Sequence, residues 1–213
     1  MKIALAADHA GFTLKEAIAA FLRQEKIEIV DFGTYSLESV DYPDFLYPAT
    51  LAVARGECDR GILVAGAAYA GAIVANKVPG IRAAACEDLW SVKTAREHGD
   101  ANVLCVGGVT LGAGLAREIV QRFLQTAFLG GKYARRNEKI RQIEAGCGAS
   151  TGSQPLPPPP PDSREQALDL VTEREVERVL HFQESLVVLR TAIITPAARD
   201  LIESRKVELQ FVD

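Results

Sequence analysis

Three side chains in this sequence are suited to moving protons near neutral pH. Asp8 and His9 are adjacent, and His98 follows much later in the chain. Histidine changes its charge between about pH 5 and 8, so two histidines with a nearby carboxylate predict general acid–base chemistry. A single histidine is more often a structural hydrogen-bonding residue, and we interpret His181 in that way.

A group of basic residues in the middle of the chain is a candidate anion site. A single acidic residue, Glu138, opposes it. Such a group is usually the solvated face of a helix and less often a binding site for an anion. Together with the histidines, it suggests a small anionic substrate that undergoes proton transfer. The basic residues are Lys132, Arg135, Arg136, Lys139 and Arg141.

The segment Gly66–Gly71 consists mainly of small residues and follows an apolar run. Small residues let backbone N–H groups approach a ligand oxygen, and the start of a helix favours negative charge. The alternative is an ordinary tight turn between a strand and a helix. The sequence has neither the Lys-Ser/Thr of a Walker loop nor a GxGxxG pattern, which disfavours a nucleotide site.

Alternating strands and helices would position these residues. Short apolar runs predict strands, and the segments between them have apolar residues at helical spacing. The alternation is typical of a five-stranded parallel sheet covered on both faces, which binds ligands at the carboxyl ends of its strands. We therefore expect His9 and His98 together at that edge. The predicted strands are 2–7, 27–32, 61–65, 81–85 and 102–106, and the predicted helices are 12–24, 43–55, 88–98 and 115–124, with another helix after 66–71.

Composition excludes several classes of protein. The 213 residues are 48% hydrophobic and 24% charged, enough for one domain with a core and a small appendage. No run of 18 apolar residues predicts a membrane span, and the net charge of −4 gives no reason to expect nucleic acid. Four widely spaced cysteines form no CxxC pair, which argues against a zinc site and for the cytoplasm. We expect no metal and no cofactor.

The chain divides near its two-thirds point. Residues 146–161 combine a Gly/Ser stretch with five consecutive prolines and predict a linker between residues 1–145 and 162–213. Residues 1–161 are neutral, with 17 basic and 17 acidic residues, so the terminal segment carries the whole net charge. There we predict a helix over 163–183, a strand over 185–194, a helix that begins at Thr195-Pro196, and a strand over 207–212.

Ordered motifs across residues 1–144 are similar to those of one enzyme family. They are Asp8–Gly11, Asp31–Thr34, Asp41–Pro43, Gly61–Val64, Ala75–Ala83, Glu97–Leu104 and Gly130-Gly131. On these residues the segment resembles the family of ribose-5-phosphate isomerase type B and galactose-6-phosphate isomerase. The resemblance implies a doubly wound, Rossmann-like fold, a homodimer or tetramer with active sites at the subunit interface, and isomerisation of phosphorylated sugars without a metal.

The resemblance also implies residue roles. His98 would open the sugar ring, with Asp8 nearby, and amides of the loop at Gly66, Ala67 and Gly71 would stabilise an enediolate. His9 and Arg136 would hold the phosphate together with Lys132, where the family commonly has Arg, and Arg135 is a possible substitute. Tyr133 stands where a histidine is common. Tyr42 and Asn76 complete the expected substrate contacts.

The proton-abstracting base of the family is missing. Many members have Cys where this chain has Ala65, and another branch has Glu where it has Gly71. The hydroxyl expected at position 67 is also absent. Tyr69 is the titratable residue of the loop and our candidate catalytic group, and Cys86 and Glu87 could also approach the site. For Cys86 we favour a small buried residue.

Three explanations remain open for this domain. It is an isomerase with a relocated base, or a catalytically weak or inactive subunit that depends on a partner, or a sugar-phosphate sensor or scaffold. The terminal pattern Ala192–Asp200 resembles terminal segments of enzymes associated with bacterial microcompartments, which implies a targeting or assembly module. A simple dimerisation extension is the alternative.

Overall fold

The first two-thirds of the chain alternate between strands and helices. The computed structural model describes residues 1–147, 168–182 and 186–212. The elements of the first unit are β1 (Lys2–Ala7), α1 (Phe12–Gln24), β2 (Glu28–Asp31), α2 (Tyr42–Ala54), β3 (Arg60–Ala65), α3 (Ala68–Ala75), β4 (Ala83–Ala85), α4 (Leu89–Glu97), β5 (Val103–Gly107), α5 (Ala113–Gln125) and α6 (Lys132–Cys147).

Five parallel strands form one sheet in the order β2-β1-β3-β5-β4. The central strands β1, β3 and β5 are almost entirely apolar and buried, as expected when helices cover both faces of a parallel sheet. One face packs against α1, α4 and α5, and the other packs against α2 and α3. The predicted doubly wound α/β fold is confirmed, with strand bounds within two residues of those predicted.

The strand order creates a crevice between β1 and β3. From β1 the chain moves outward to β2, whereas from β3 it moves to β4 and β5 on the opposite side. Helices that follow neighbouring strands therefore leave on opposite faces at this point. Ligands of doubly wound sheets bind at the carboxyl ends of the strands at such a reversal.

A smaller unit follows. Contacts divide the chain into Met1–Thr151 and Gly152–Asp213. The second unit contains β6 (Leu168–Val171), α7 (Glu173–Phe182), β7 (Leu186–Ile194), α8 (Pro196–Arg205) and β8 (Leu209–Val212), with a parallel sheet in the order β6-β7-β8. The predicted linker lies outside the described residues from position 148 onward.

The prediction of one helix over 163–183 is wrong over residues 168–171 and confirmed over residues 173–182. Leu168–Val171 is a strand that pairs with β7, and the helix begins only at Glu173. The helix start has one half of a capping box, because the backbone N–H of Thr172 donates to the Glu175 carboxylate, which the Thr172 hydroxyl contacts as well. The predicted start of α8 is confirmed, since the Thr195 side chain accepts a hydrogen bond from the Ala198 N–H. Among the described residues, no helix is both long and apolar enough to cross a membrane.

Candidate active site

Asp8 lies at the crevice, directly after β1. Its side chain is buried, and the carboxylate accepts the backbone N–H of Gly11 at 2.7 Å and that of Gly66 at 3.2 Å. The two hydrogen bonds join the loops that follow β1 and β3. Asp8 therefore has a fixed orientation at the carboxyl ends of both strands.

This arrangement depends on a close approach at Gly11. A Cβ atom at that position would lie 2.2 Å from the carbonyl oxygen of Val64. Only glycine lets the start of α1 come so near to β3, and this proximity is what brings the Gly11 N–H to Asp8.

His9 follows Asp8 and faces the loop between β2 and α2. Its Nδ1 atom accepts a hydrogen bond from the backbone N–H of Val40 at 3.2 Å. With Nδ1 used as an acceptor, Nε2 is the ring atom left to donate a hydrogen bond to a ligand. Tyr42, the first residue of α2, packs partly buried at the end of the same loop.

A buried lysine holds that loop in place. Lys15 has no exposed surface, and its ammonium donates to both oxygens of Asp31, at 2.8 and 3.0 Å, and to the Thr34 carbonyl at 2.8 Å. Sequence reasoning missed this group. The available signal was a lysine within the apolar stripe of α1, next to Leu14 and before Ile18.

The loop after β3 presents backbone donors. The N–H groups of Ala67, Ala68 and Tyr69 at the start of α3 make no hydrogen bond to any described residue. Position 65 offers no base, since Ala65 is a buried alanine, and Tyr69 is the titratable side chain of this loop. At Gly71, an added Cβ would lie 3.1 Å from the sulfur of Cys105, so this position faces the sheet and not the crevice.

Next to this loop is a depression of about 420 Å³. Ala67, Ala68 and Tyr69 line one side, and Glu87 and Thr110 line the other. About two-thirds of the Tyr69 side chain is exposed to solvent. The neighbouring Cys86 is buried, which confirms its interpretation as a small buried residue, and burial raises the pKa of its thiol.

The prediction that His98 lies at the carboxyl edge is wrong. Helix α4 starts after β4 and returns the chain to the beginning of β5, so His98 lies at the amino edge of the sheet. Strands of five or six residues separate the two edges by about 17–20 Å. His98 and Asp8 of one chain therefore do not meet.

His98 instead belongs to a basic cluster at the start of α6. Its ring stacks on Tyr133 with 4.0 Å between centroids. The Lys132 ammonium and the Arg136 guanidinium lie 5.4 and 5.6 Å from the centre of the same tyrosine ring. Arg135 is exposed on this helix. We call His98, Lys132, Tyr133 and Arg136 the basic cluster.

Asn76 also lies apart from Asp8. Its side chain donates to the carbonyl of Ala83 at 3.0 Å and accepts the N–H of the same residue at 2.9 Å. Both polar atoms thus hold the beginning of β4, at the amino edge. The described residues contain no group of three or more His, Cys, Asp or Glu side chains that could hold a metal ion.

Comparisons with known proteins agree on one family. Residues 3–140 match the family model described as Ribose/Galactose Isomerase. Ribose-5-phosphate isomerase B of Escherichia coli is 43% identical over 143 residues, which are 67% of this chain and 96% of that protein. D-erythrulose-4-phosphate isomerase of Pectobacterium atrosepticum is 39% identical over 145 residues, 68% of this chain and 95% of that protein. The structure of Clostridium thermocellum ribose-5-phosphate isomerase B superposes with a TM-score of 0.68 at 48% identity, covering 69% of this chain and 99% of the other.

Proposed function

Since this chain belongs to the Ribose/Galactose Isomerase family, we propose that it is an enzyme that interconverts an aldose phosphate and its ketose phosphate. The observation that carries this proposal is the geometry at the crevice. The Asp8 carboxylate is fixed by the Gly66 N–H, and the next amides of the same loop have no hydrogen-bond partner among the described residues. Such amides suit the negative charge that an enediolate places on oxygen.

Ring opening and phosphate binding, two steps of the proposed isomerisation, each have side chains with suitable chemistry. Ring opening needs a proton donor and acceptor, roles for His98 with Asp8 nearby. The His9 ring, whose Nδ1 accepts the Val40 N–H, offers Nε2–H to a phosphate oxygen, and Arg136 and Lys132 offer positive charge. Lysine contributes charge without the paired N–H groups of arginine, so we assign the stronger phosphate contact to Arg136.

Two copies of the chain are needed to assemble such a site. Asp8 and His9 lie at one edge of the sheet, and the basic cluster lies at the other. A site that uses both groups therefore takes the basic cluster from a second copy, which supports a homodimer or a tetramer built from dimers. The separation of the edges within one chain is the argument for this arrangement.

Mixing two inactive variants tests the shared site. Asp8→Asn and His98→Asn each remove one half of the proposed shared site, so each variant homodimer should lose activity. After unfolding and refolding together, a mixed dimer contains one site with both native residues, and activity should return. If both residues acted from the same chain, the mixture would stay as inactive as its components.

Turnover itself is tested by coupled assays and by proton exchange from solvent. Ribose 5-phosphate, erythrulose 4-phosphate, allose 6-phosphate and galactose 6-phosphate are suitable substrates. We expect isomerisation of at least one. Calorimetric binding without exchange or isomerisation would favour a sugar-phosphate-binding subunit or scaffold instead.

For the second unit we propose an interaction module. Residues 162–213 contain 7 basic and 11 acidic residues, and their short parallel sheet has few strands on which to build a core. The proposed roles are docking to a partner in a cytoplasmic microcompartment or assembly of copies of the chain. Fusion of this segment to a fluorescent reporter should relocate the reporter or co-purify a partner, and a monomeric, diffuse fusion would contradict both roles.

A further inference from the structure

The crevice has no base at either of the two loop positions, 65 and 71, but an acidic side chain approaches the loop from another strand. We propose that Glu87, which follows β4, is the general base that moves the proton between the two sugar carbons. The inference rests on the proposed isomerase function and adds the residue that the loop itself lacks.

Glu87 reaches the loop amides across the end of β5. The point where a Cβ of Gly107 would stand is 2.9 Å from Oε1 of Glu87 and 3.4 Å from the backbone nitrogen of Ala68. The carboxylate and this amide thus face the same small space, which Gly107 leaves open because it has no side chain. Glu87, Ala67 and Ala68 also line the same depression.

One oxygen of Glu87 is held and the other is available. Oε1 accepts the hydroxyl of Thr110 at 2.6 Å, whereas Oε2 makes no hydrogen bond to any described residue. The hydroxyl fixes the orientation of the carboxylate, and the remaining oxygen can accept a proton. Geometry of this kind is the first requirement for a general base.

The proposed step is a balanced proton transfer. Oε2 takes the proton from the carbon next to the carbonyl, and the electron pair of that C–H bond moves onto the carbonyl oxygen to form the enediolate. The amides at the start of α3 stabilise this charge. The hydroxyl proton on the deprotonated carbon then passes to the former carbonyl oxygen, and the Glu87 carboxylic acid returns its proton to the former carbonyl carbon. The new carbonyl forms on the neighbouring carbon, and the carboxylate is regenerated without another reactant.

Other titratable groups nearby are less suited to this role. Both Asp8 oxygens accept backbone N–H groups, and Cys86 is a buried thiol with a raised pKa. Asp88 caps α4, and hydrogen bonds, chiefly from the Ser91 N–H, lower the pKa of its carboxyl, which weakens it as a base. Tyr69 is the remaining competitor.

The test compares Glu87→Gln with Asp88→Asn in the full-length protein. The first variant keeps the shape of the side chain and an oxygen for Thr110, but it cannot accept the proton. The second removes a neighbouring charge and keeps a capping oxygen. We expect Glu87→Gln to lower kcat and solvent deuterium incorporation about 10²- to 10⁴-fold, with unchanged sugar-phosphate affinity by calorimetry. Asp88→Asn should retain wild-type turnover.

Two further readouts separate a catalytic role from a structural one. The acidic limb of the wild-type pH–kcat profile should disappear in Glu87→Gln, and added formate should partly restore turnover to Glu87→Ala. If wild type is active and Glu87→Gln matches it, or if only Tyr69→Phe abolishes exchange, the assignment of Glu87 is overturned while the isomerase function stands. Absence of turnover and exchange in the wild type overturns the isomerase function together with this assignment.

Discussion

Replacement of Lys15 by methionine tests how the fold holds the loop next to His9. Methionine has a similar length and fits an apolar helix face, so the change removes mainly the charge and its hydrogen bonds. The Lys15 ammonium bonds Asp31 and the Thr34 carbonyl and lies 3.1 Å from Glu16. We expect Lys15→Met to destabilise the first unit.

The size of the expected loss in stability depends on the contacts that Asp31 keeps when the ammonium is gone. Loss of one partner of a buried ion pair costs about 3–5 kcal/mol when the other charge is left without compensation. Here the Asp31 side chain keeps 22% exposure and still accepts the Gly33 N–H at 2.9 Å, so its charge is partly compensated. We therefore expect a loss of about 2–3 kcal/mol in the free energy of unfolding.

Urea unfolding followed by circular dichroism and by Trp90 fluorescence measures this loss. Trp90 is the only tryptophan of the chain and lies in the first unit, so its emission reports on that unit. A cycle with Asp31→Asn isolates the coupling between the two side chains. Wild-type or greater stability in Lys15→Met would refute the reasoning, because it would mean that apolar packing replaces the ion pair without loss.

The other predictions concern a close backbone contact, the missing base and a helix cap. Gly11→Ala places a Cβ 2.2 Å from the Val64 oxygen and should cost about 2 kcal/mol or more in thermal unfolding, with loss of turnover; a wild-type melting temperature would contradict the close approach. Ala65→Cys combined with Ala67→Thr should raise the isomerisation rate in the coupled assay if the rest of the crevice is intact. An unchanged rate would count against an intact crevice. Thr195→Ala should destabilise the second unit by about 0.5–1 kcal/mol, measured by hydrogen exchange, whereas Thr195→Ser should retain protection; equal exchange in both would argue against the cap.

The sequence predicts the sheet well because buried parallel strands have a simple pattern. The runs that became β1, β3 and β5 are nearly continuous apolar segments between helices, and their bounds agree within two residues. The strands of the second unit were harder to predict from the sequence. Leu168 and Val171 fit helical spacing as well as a strand, and only pairing with β7 decides between them.

The error in the predicted position of His98 has a topological cause. Proximity to a strand in sequence does not determine which edge a residue occupies; the direction of the chain does. His9 follows β1 and lies at the carboxyl edge, whereas His98 precedes β5 and lies at the amino edge. The partners of Lys15 and the contact between Glu87 and Thr110 were also beyond sequence reasoning, because each joins residues of separate elements.

The position of the proposed base follows from what the other strands place at the carboxyl edge. After β1, Asp8 is committed to two amides, and after β3 the residues are small and apolar up to Tyr69. After β5, Gly107 must lack a side chain, since a Cβ there would lie 2.2 Å from Oγ1 of Thr110. Within one chain, a carboxylate beside the loop amides is therefore expected after β2 or β4. Two residues after the end of β4, Glu87 lines the depression beside α3, so substitution at this position is the decisive measurement for the chemistry of the crevice.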